Sequence, residues 1–498
     1  MKTSFPLLAL AIASAAVSAA PESPEVPPAQ ASEAEVPPGY VAEIAARDLA
    51  YPTSIEFGAD GVMYVAEAGY SYGDSSAVPR ILEYGTASAE PREFASQGLV
   101  GPINDLLWYD NQLYVSHRGK ISVVEKGKVE DLITGLPSDG DHHNNQLTAG
   151  PDGKIYFGQG TYTNSGVVGP DNYKMGWLAD HPEAHDIPAR PVTFKSRVFE
   201  SPNPLKQGEQ TARTLPFHAF NEAAEELALE GNVKASGTIL RMNPDGSDLE
   251  VYAWGLRNPY GVLWLPDGRL LASENGMDVR GSRPVANDKE DLYLIKEGAW
   301  YGWPDYASGI PVTDPRFKPE GKPAPEFIMA EHPPVEKPLM TFPEHSAVAK
   351  MAWSDDESFG KAGHLFVAFF GHMTPMTGHT DKHGGHRVAS IDLKTGKVET
   401  FFGKKGHGHG DHHGGEKAGG HQAGSGGGET ATSGPRRLLD VEFGPDGALY
   451  IVDFGTIVVK EGEVVPVKGT GLVWKVSRGS SEAASQEEPP EGHAEHEH

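Results

Sequence analysis

One unit recurs along almost the whole chain and limits what it can fold into: a short apolar strand, a tight Gly/Asp turn and a second apolar strand. Copies run over Ser54–Val65, Leu106–Val115, Gln146–Phe157, Gly261–Ser273, Met351–Val367 and Val441–Ile451. In three of them the turn is Pro-Asp-Gly, at 151–153, 266–268 and 445–447, between residues that alternate apolar and polar. That is the pattern of an antiparallel hairpin. A lone hairpin cannot bury its apolar faces, so six copies imply blades packed one on the next around an axis. The expected fold class is all-β, a six-bladed β-propeller with long face insertions, ahead of seven blades or a two-sheet sandwich.

The order of the chain fills in the rest. Met1-Lys-Thr, the apolar run Phe5–Val17 and the small residues Ser18-Ala-Ala20 read as a secretory signal peptide over 1–20, cut after Ala19. Residues 21–37 are rich in Pro, Glu, Ala and Ser and read as a disordered linker. The propeller is expected over 38–477, with insertions at about 162–235, including a helix-like run Phe220–Leu229, and at about 404–433. An acidic, His-bearing tail, 478–498, follows. Nothing past the N-terminus is long and apolar enough to span a membrane, so a periplasmic or secreted protein is expected.

A formal net charge of −27 makes nucleic acid an unsuitable partner. With no cysteine, the chain forms no disulfide and carries no covalently attached haem.

Polar residues unnecessary for a hairpin mark a candidate site. Asp141-His142-His143 enters the third copy where Arg257-Asn258 enters the fourth, and equivalent positions of successive blades converge on one face. A neutral imidazole accepts a proton from a hydroxyl, and a fixed guanidinium holds an anionic oxygen. Which of the two histidines points inward stays open. After the fourth copy, Asn275-Gly276-Met277 and the acidic run Asn287–Asp291 offer the carbonyl and carboxylate oxygens that suit calcium.

Four segments in this order, Leu256-Arg-Asn-Pro-Tyr-Gly, Ser273-Glu-Asn-Gly, Glu290-Asp-Leu-Tyr-Leu-Ile and Trp300-Tyr-Gly-Trp-Pro304, resemble the glucose/sorbosone dehydrogenase family, and its sorbosone-type branch more closely. Members are soluble, exported six-bladed propellers that oxidise sugars with pyrroloquinoline quinone (PQQ). The likeness covers roughly 38–477. It implies His142 as the base that takes the hydroxyl proton while hydride passes to the quinone, with Arg257 and Asn258 at the quinone's reactive carbonyl. It implies the carbonyls of Gly276 and Met277 at a calcium ion, Glu290 and Asp291 at a second calcium site, and Arg437 at the cofactor's carboxylates. Two positions depart from the pattern: Gly371 stands where the glucose-oxidising members have a lysine, and Leu439 where the family has a second arginine. Substrate would be a sugar or related aldehyde, and electrons would leave to a separate acceptor such as a cytochrome or a quinone.

A calcium-dependent sugar lactonase and a non-catalytic binding propeller stay open as alternatives. The histidines at 372, 379, 383, 386, 407, 409, 412, 413 and 421, read as one inter-strand insertion, and those at 493, 496 and 498 are expected to capture a transition metal such as zinc, copper or nickel.

Overall fold

The computed structural model describes residues 26–71, 74, 76–85, 90–206, 208, 211–223, 227–373, 377, 385–406, 433–460 and 463–479. The first 20 residues, the His-rich stretch 407–432 and the tail beyond 479 fall outside these.

Each of the six hairpins becomes the two innermost strands of a blade. Blade one is Pro52–Phe57, Met63–Glu67, Arg80–Tyr84 and Arg92–Ala95, and blade two is Ile103–Tyr109, Gln112–His117, Lys120–Glu125 and Lys128–Ile133. Blade three is Asn144–Ala149, Ile155–Gln159, Thr238–Met242 and Glu250–Trp254; blade four is Pro259–Trp264, Leu270–Glu274, Glu290–Ile295 and Met340–Phe342. Blade five is Val348–Ser354, His364–Phe369, Arg387–Asp392 and Lys397–Lys404. Blade six takes three strands from the end of this region, Leu438–Phe443, Leu449–Asp453 and Gly471–Arg478. Its outermost strand, Tyr40–Leu49, comes from the other end and pairs antiparallel with Gly471–Arg478. No seventh blade occurs among the described residues.

The turns explain the hairpins. Gly153, Gly268 and Gly447 each close their Pro-Asp-Gly turn at positive φ, and the preceding aspartates accept backbone N–H bonds within it. Strand parity then sends alternate apolar side chains to the two neighbouring blades. Leu271 and Leu292 of blade four meet Met351, Leu365, Val367 and Ile391 of blade five, all at most 0% exposed. Ile55 and Val65 of blade one meet Val452 and Val473 of blade six in the same way. A fully buried Val or Leu contributes about 1.5–3 kcal/mol, so no blade is stable without its neighbours.

Three expectations change. The run Phe220–Leu229 forms no helix among its described residues; Ala228–Leu229 pairs instead with Val192–Thr193. The insertion's two short helices are Pro170–Lys174 and Trp177–Asp180. The expected linker docks in its second half: Ala34–Glu35 adds an edge strand to blade five, and Ala29, Ala31 and Val36 pack on the core. Polar composition did not prevent this, because four small apolar residues suffice to follow an edge already in place. The histidines read as one insertion belong to two, since Arg387–Asp392 and Lys397–Lys404 separate 370–386 from 405–437.

No described helix is long and apolar enough to cross a membrane.

Candidate active site at the end of the axis

A cavity of about 230 Å³ opens at one end of the axis. It is lined by residues at or beside the starts of all six innermost strands, among them Thr53, Pro102, His142, Arg257, Ala347 and Leu439.

His142 stands on the approach to blade three. Its Nδ1 lies 2.9 Å from the Thr161 carbonyl and 3.2 Å from Thr161 Oγ1. A carbonyl only accepts, so Nδ1 carries the proton and Nε2 keeps its lone pair. The Thr161 hydroxyl is itself committed as donor to the Thr163 carbonyl, at 2.7 Å. Burial, and after it the Arg257 charge, pushes the His142 pKa down to about 3, so the ring is neutral at working pH. Gly160 makes room for it, since a Cβ there would lie 2.4 Å from His142 Cβ. His143 also lines the cavity, with Nδ1 2.8 Å from the Ser138 carbonyl and its pKa brought to about 4 by burial.

Arg257 and Asn258 lie beside it. The guanidinium donates to the Asn164 carbonyl at 3.2 Å, to Asn164 Oδ1 at 3.1 Å and to Asp278 Oδ2 at 3.0 Å. The Asn258 amide is fixed between Asn145 (2.9 Å) and Asn275 (2.8 Å). Asp278 is a hub that the sequence did not mark. Arg280 reaches it at 3.2 Å and His345 Nδ1 at 3.2 Å, and these cations hold its carboxyl well below the ordinary range against the effect of burial. Arg280 also pairs with Asp141 at 2.7 Å and Asp171 at 2.8 Å, tying the 160–237 insertion to the loop that carries His142.

A second, smaller cavity of about 20 Å³ lies behind Asn275-Gly276-Met277. Gly276 lines both cavities, and Met277 only the smaller, where its N–H donates to Asp288 Oδ2 at 2.7 Å. Glu274, Asp288 and Asp291 ring the smaller cavity, while Glu290 faces the large one and accepts from Asn275 Nδ2 at 2.9 Å. The expectation that Glu290 and Asp291 act together is corrected here: neighbours on a strand point to opposite faces. Burial pushes Glu274 up to about 8, Asp288 to about 7 and Glu290 to about 7, and raises Asp291 as well. Glu274 Oε2 and Asp288 Oδ1 are buried without a hydrogen-bond partner.

This donor chemistry fits a hard divalent cation, which would relieve the mutual repulsion and fill the orphaned valences. No three described His, Asp or Glu side chains already stand as a metal cage, so the carboxylates would turn inward on the ion.

Part of the lining is apolar. Gly371 and Leu439 line the cavity with Phe370, Met373 and Phe454, so the two family cation positions face it without charge. Arg437 is not among the lining residues. Its guanidinium stacks 5.1 Å from the Phe370 ring and donates to the His372 carbonyl at 3.0 Å, which corrects its expected place in the cavity wall.

Deeper on the axis, Lys350 Nζ is fully buried between Asp105 (2.6 Å), Asp440 (3.0 Å) and the Thr53 carbonyl (2.9 Å). An axial metal of the lactonase kind needs such carboxylates, and here an ammonium occupies them.

Residues 222–387 match the Glucose / Sorbosone dehydrogenase family. The matched segment holds Arg257, Asn258, both cavities' acidic residues from 274 to 291, and His345; it leaves out His142 and Arg437. Over 180 residues the chain is 28% identical to quinoprotein glucose dehydrogenase B of Acinetobacter calcoaceticus, a stretch covering 36% of this chain and 29% of that relative. The chain thus spans less than a third of the curated relative it matches.

Among solved structures, the holo pyranose dehydrogenase PQQ domain of Coprinopsis cinerea superposes with a TM-score of 0.53 at 13% identity, over 92% of this chain and 99% of that one. A calcium structure of a Trichoderma reesei carbohydrate-active enzyme of family AA12 gives 0.53 at 13% identity, over 91% and 99%. At such identities the likeness carries the fold alone, and that fold is the six-bladed propeller.

Proposed function

We infer that this chain is an exported quinoprotein oxidoreductase, which oxidises a sugar or a related aldehyde or alcohol with PQQ and calcium. The observation that carries the reading is the neutral His142, its tautomer set by Thr161, facing a cavity that it shares with Arg257 and Asn258. The family match over 222–387 and the PQQ and calcium named for the relatives support it.

Bound in the cavity, PQQ would supply the hydride acceptor. His142 Nε2 accepts the proton of the substrate hydroxyl, while the Nδ1–H bond to Thr161 keeps the ring oriented. Arg257, held by Asp278 and Asn164, presents positive charge to the oxygen that gains negative charge. Glu274, Asp288 and Asp291, with the backbone at Gly276 and Met277, would hold calcium behind the cofactor. Electrons leave to a separate carrier, a cytochrome or a quinone. Residues 1–20 read as a signal peptide and support export to the periplasm or medium.

The test is to add PQQ and calcium to the purified protein and follow dye reduction with aldoses and sorbosone. Dye reduction dependent on both additions is expected. Absence of bound quinone and of turnover on the whole panel would overturn the reading.

A further inference from the structure

The large cavity contains a third imidazole, His345, from the loop joining blades four and five. The His142 chemistry leaves it unused. Its Nδ1 is 3.2 Å from Asp278 Oδ1, so Nδ1 donates and Nε2 remains as the second polar end of the ring. Nε2 has no hydrogen-bond partner among the described residues, although the side chain is only 11% exposed and lines the cavity.

The loop is built to hold it there. His345 and Ala347 both sit at positive φ, 57° and 49°, which non-glycine residues adopt only where the surroundings enforce it. The enforcement is visible: Ser346 Oγ donates to the Pro343 carbonyl at 2.7 Å. The N–H groups of Phe370 and Gly371 donate to the Ala347 and Ser346 carbonyls, at 2.9 and 3.0 Å.

Charge is unevenly spread around the cavity. Arg257, Arg280 and His345 all converge on Asp278. Leu439 and Gly371, the latter hydrogen-bonded to the His345 loop, add no charge to the lining, and a Cβ at Gly371 would lie 2.3 Å from His386 Nε2. An anionic ligand entering this cavity thus finds its cationic partners in the three groups gathered on Asp278. Of the three cations there, Arg257 and Arg280 have their donors turned onto Asn164, Asp141, Asp171 and Asp278. His345 alone of the three keeps an uncommitted nitrogen.

We propose that His345 is a ligand-binding residue of this site, donating Nε2–H to an anionic oxygen of the bound quinone cofactor and so fixing which end of it lies toward Asp278. This rests on the quinoprotein reading above. The groups that face His345 are Asp278 and Glu290 from blade four, Glu344 on its own loop, and Arg257 and Arg280 through Asp278. The carboxylates outweigh burial and raise its pKa, which keeps the ring cationic to higher pH than a free histidine.

The experiment uses the full chain with calcium and PQQ itself as probe. Affinity is read by calorimetry from pH 5.5 to 8.5 for wild type, His345→Gln and His345→Asn, with circular dichroism melts to establish that both variants are folded. Wild type is expected to bind more weakly as pH rises and the ring loses its charge. Both variants should bind about tenfold more weakly at the acid end and show a flattened pH dependence. Variants that match wild type throughout would overturn the role of His345 and leave the cofactor reading standing. Weaker binding with the wild-type pH dependence retained would reduce His345 to packing and equally overturn the proposal. A wild type that binds no PQQ at any pH would remove the cofactor reading, and this role with it.

Discussion

Replacing Lys350 by methionine tests how the axis is held together. Methionine keeps most of the stem and removes the ammonium that contacts Asp105, Asp440 and the Thr53 carbonyl. All three side chains are at least 96% buried, so solvent screening is small. Even with Lys350 present, burial brings the Asp105 pKa up to about 6 from its ordinary 3.8. Holding that carboxyl charged at neutral pH thus already costs about 3 kcal/mol. Without the cation its folded-state pKa rises further.

A carboxyl whose pKa is higher in the folded than in the unfolded protein favours folding most when both states are protonated, and that advantage is lost as pH rises through the folded value. The deficit of the variant is therefore expected to be about 3–5 kcal/mol at pH 7.5. It should shrink at pH 5, below the raised Asp105 value, where that carboxyl takes up its proton. Urea unfolding midpoints at both pH values measure it, with thermal scans expected to show a loss of about 3–5 °C at the higher one. A variant within 1 kcal/mol of wild type at pH 7.5, or a deficit that does not change with pH, would refute this reasoning; that threshold is about the scale of a single ordinary hydrogen bond.

His142→Ala is expected to lower turnover by about 10²–10⁴ with PQQ affinity largely kept, and His143→Ala only a few-fold, both by dye reduction. The apo protein should lose stability as pH rises through 7 to 8, because Glu274, Asp288 and Glu290 have raised pKa values in the folded state. Calcium should offset that loss, by about 2.7 kcal/mol at a hundredfold excess over Kd, and Glu274→Gln should abolish the calcium effect in the same melts. Excising 407–432 should leave the melting temperature unchanged, because Lys404 and Gly434 are already neighbours, a Cβ on Gly434 falling 3.2 Å from Lys404 Cγ. Calorimetric zinc and copper titrations should then show fewer bound ions than for the whole chain, and equal stoichiometry would reduce the segment to a spacer.

The fold was legible because its signal is local and repeated: each Pro-Asp-Gly turn and its flanking alternation lie within a dozen residues. His142, Arg257 and Asn258 were legible for the same reason, as they directly precede an innermost strand. The hub at Asp278 was not, since only Arg280 shares its loop, while Arg257 and His345 reach it from two other loops far away in sequence. Glu290 and Asp291 illustrate a rule that was available and would have separated them, the two-residue period of a strand. Arg437 fails differently. Its position in the chain matches the family's arginine, yet its guanidinium stacks on Phe370, and it is Phe370 that lines the cavity. The docking of Ala34–Glu35 had no compositional signal, because the edge of blade five supplies the pairing that the segment lacks alone.

The join between Tyr40–Leu49 and Gly471–Arg478 gives the ring a history as well as a shape. During synthesis the outer strand of blade six leaves the ribosome some 430 residues ahead of its partner. Until then the flank of blade one that carries Ile55 and Val65 has no neighbour, so the nascent ring is an open arc with two sticky ends. Pairings so distant in sequence form slowly, and an unfinished arc is prone to joining with a second copy of itself. The strand Gly471–Arg478 is thus the one that ends the interval in which this protein is most exposed to aggregation.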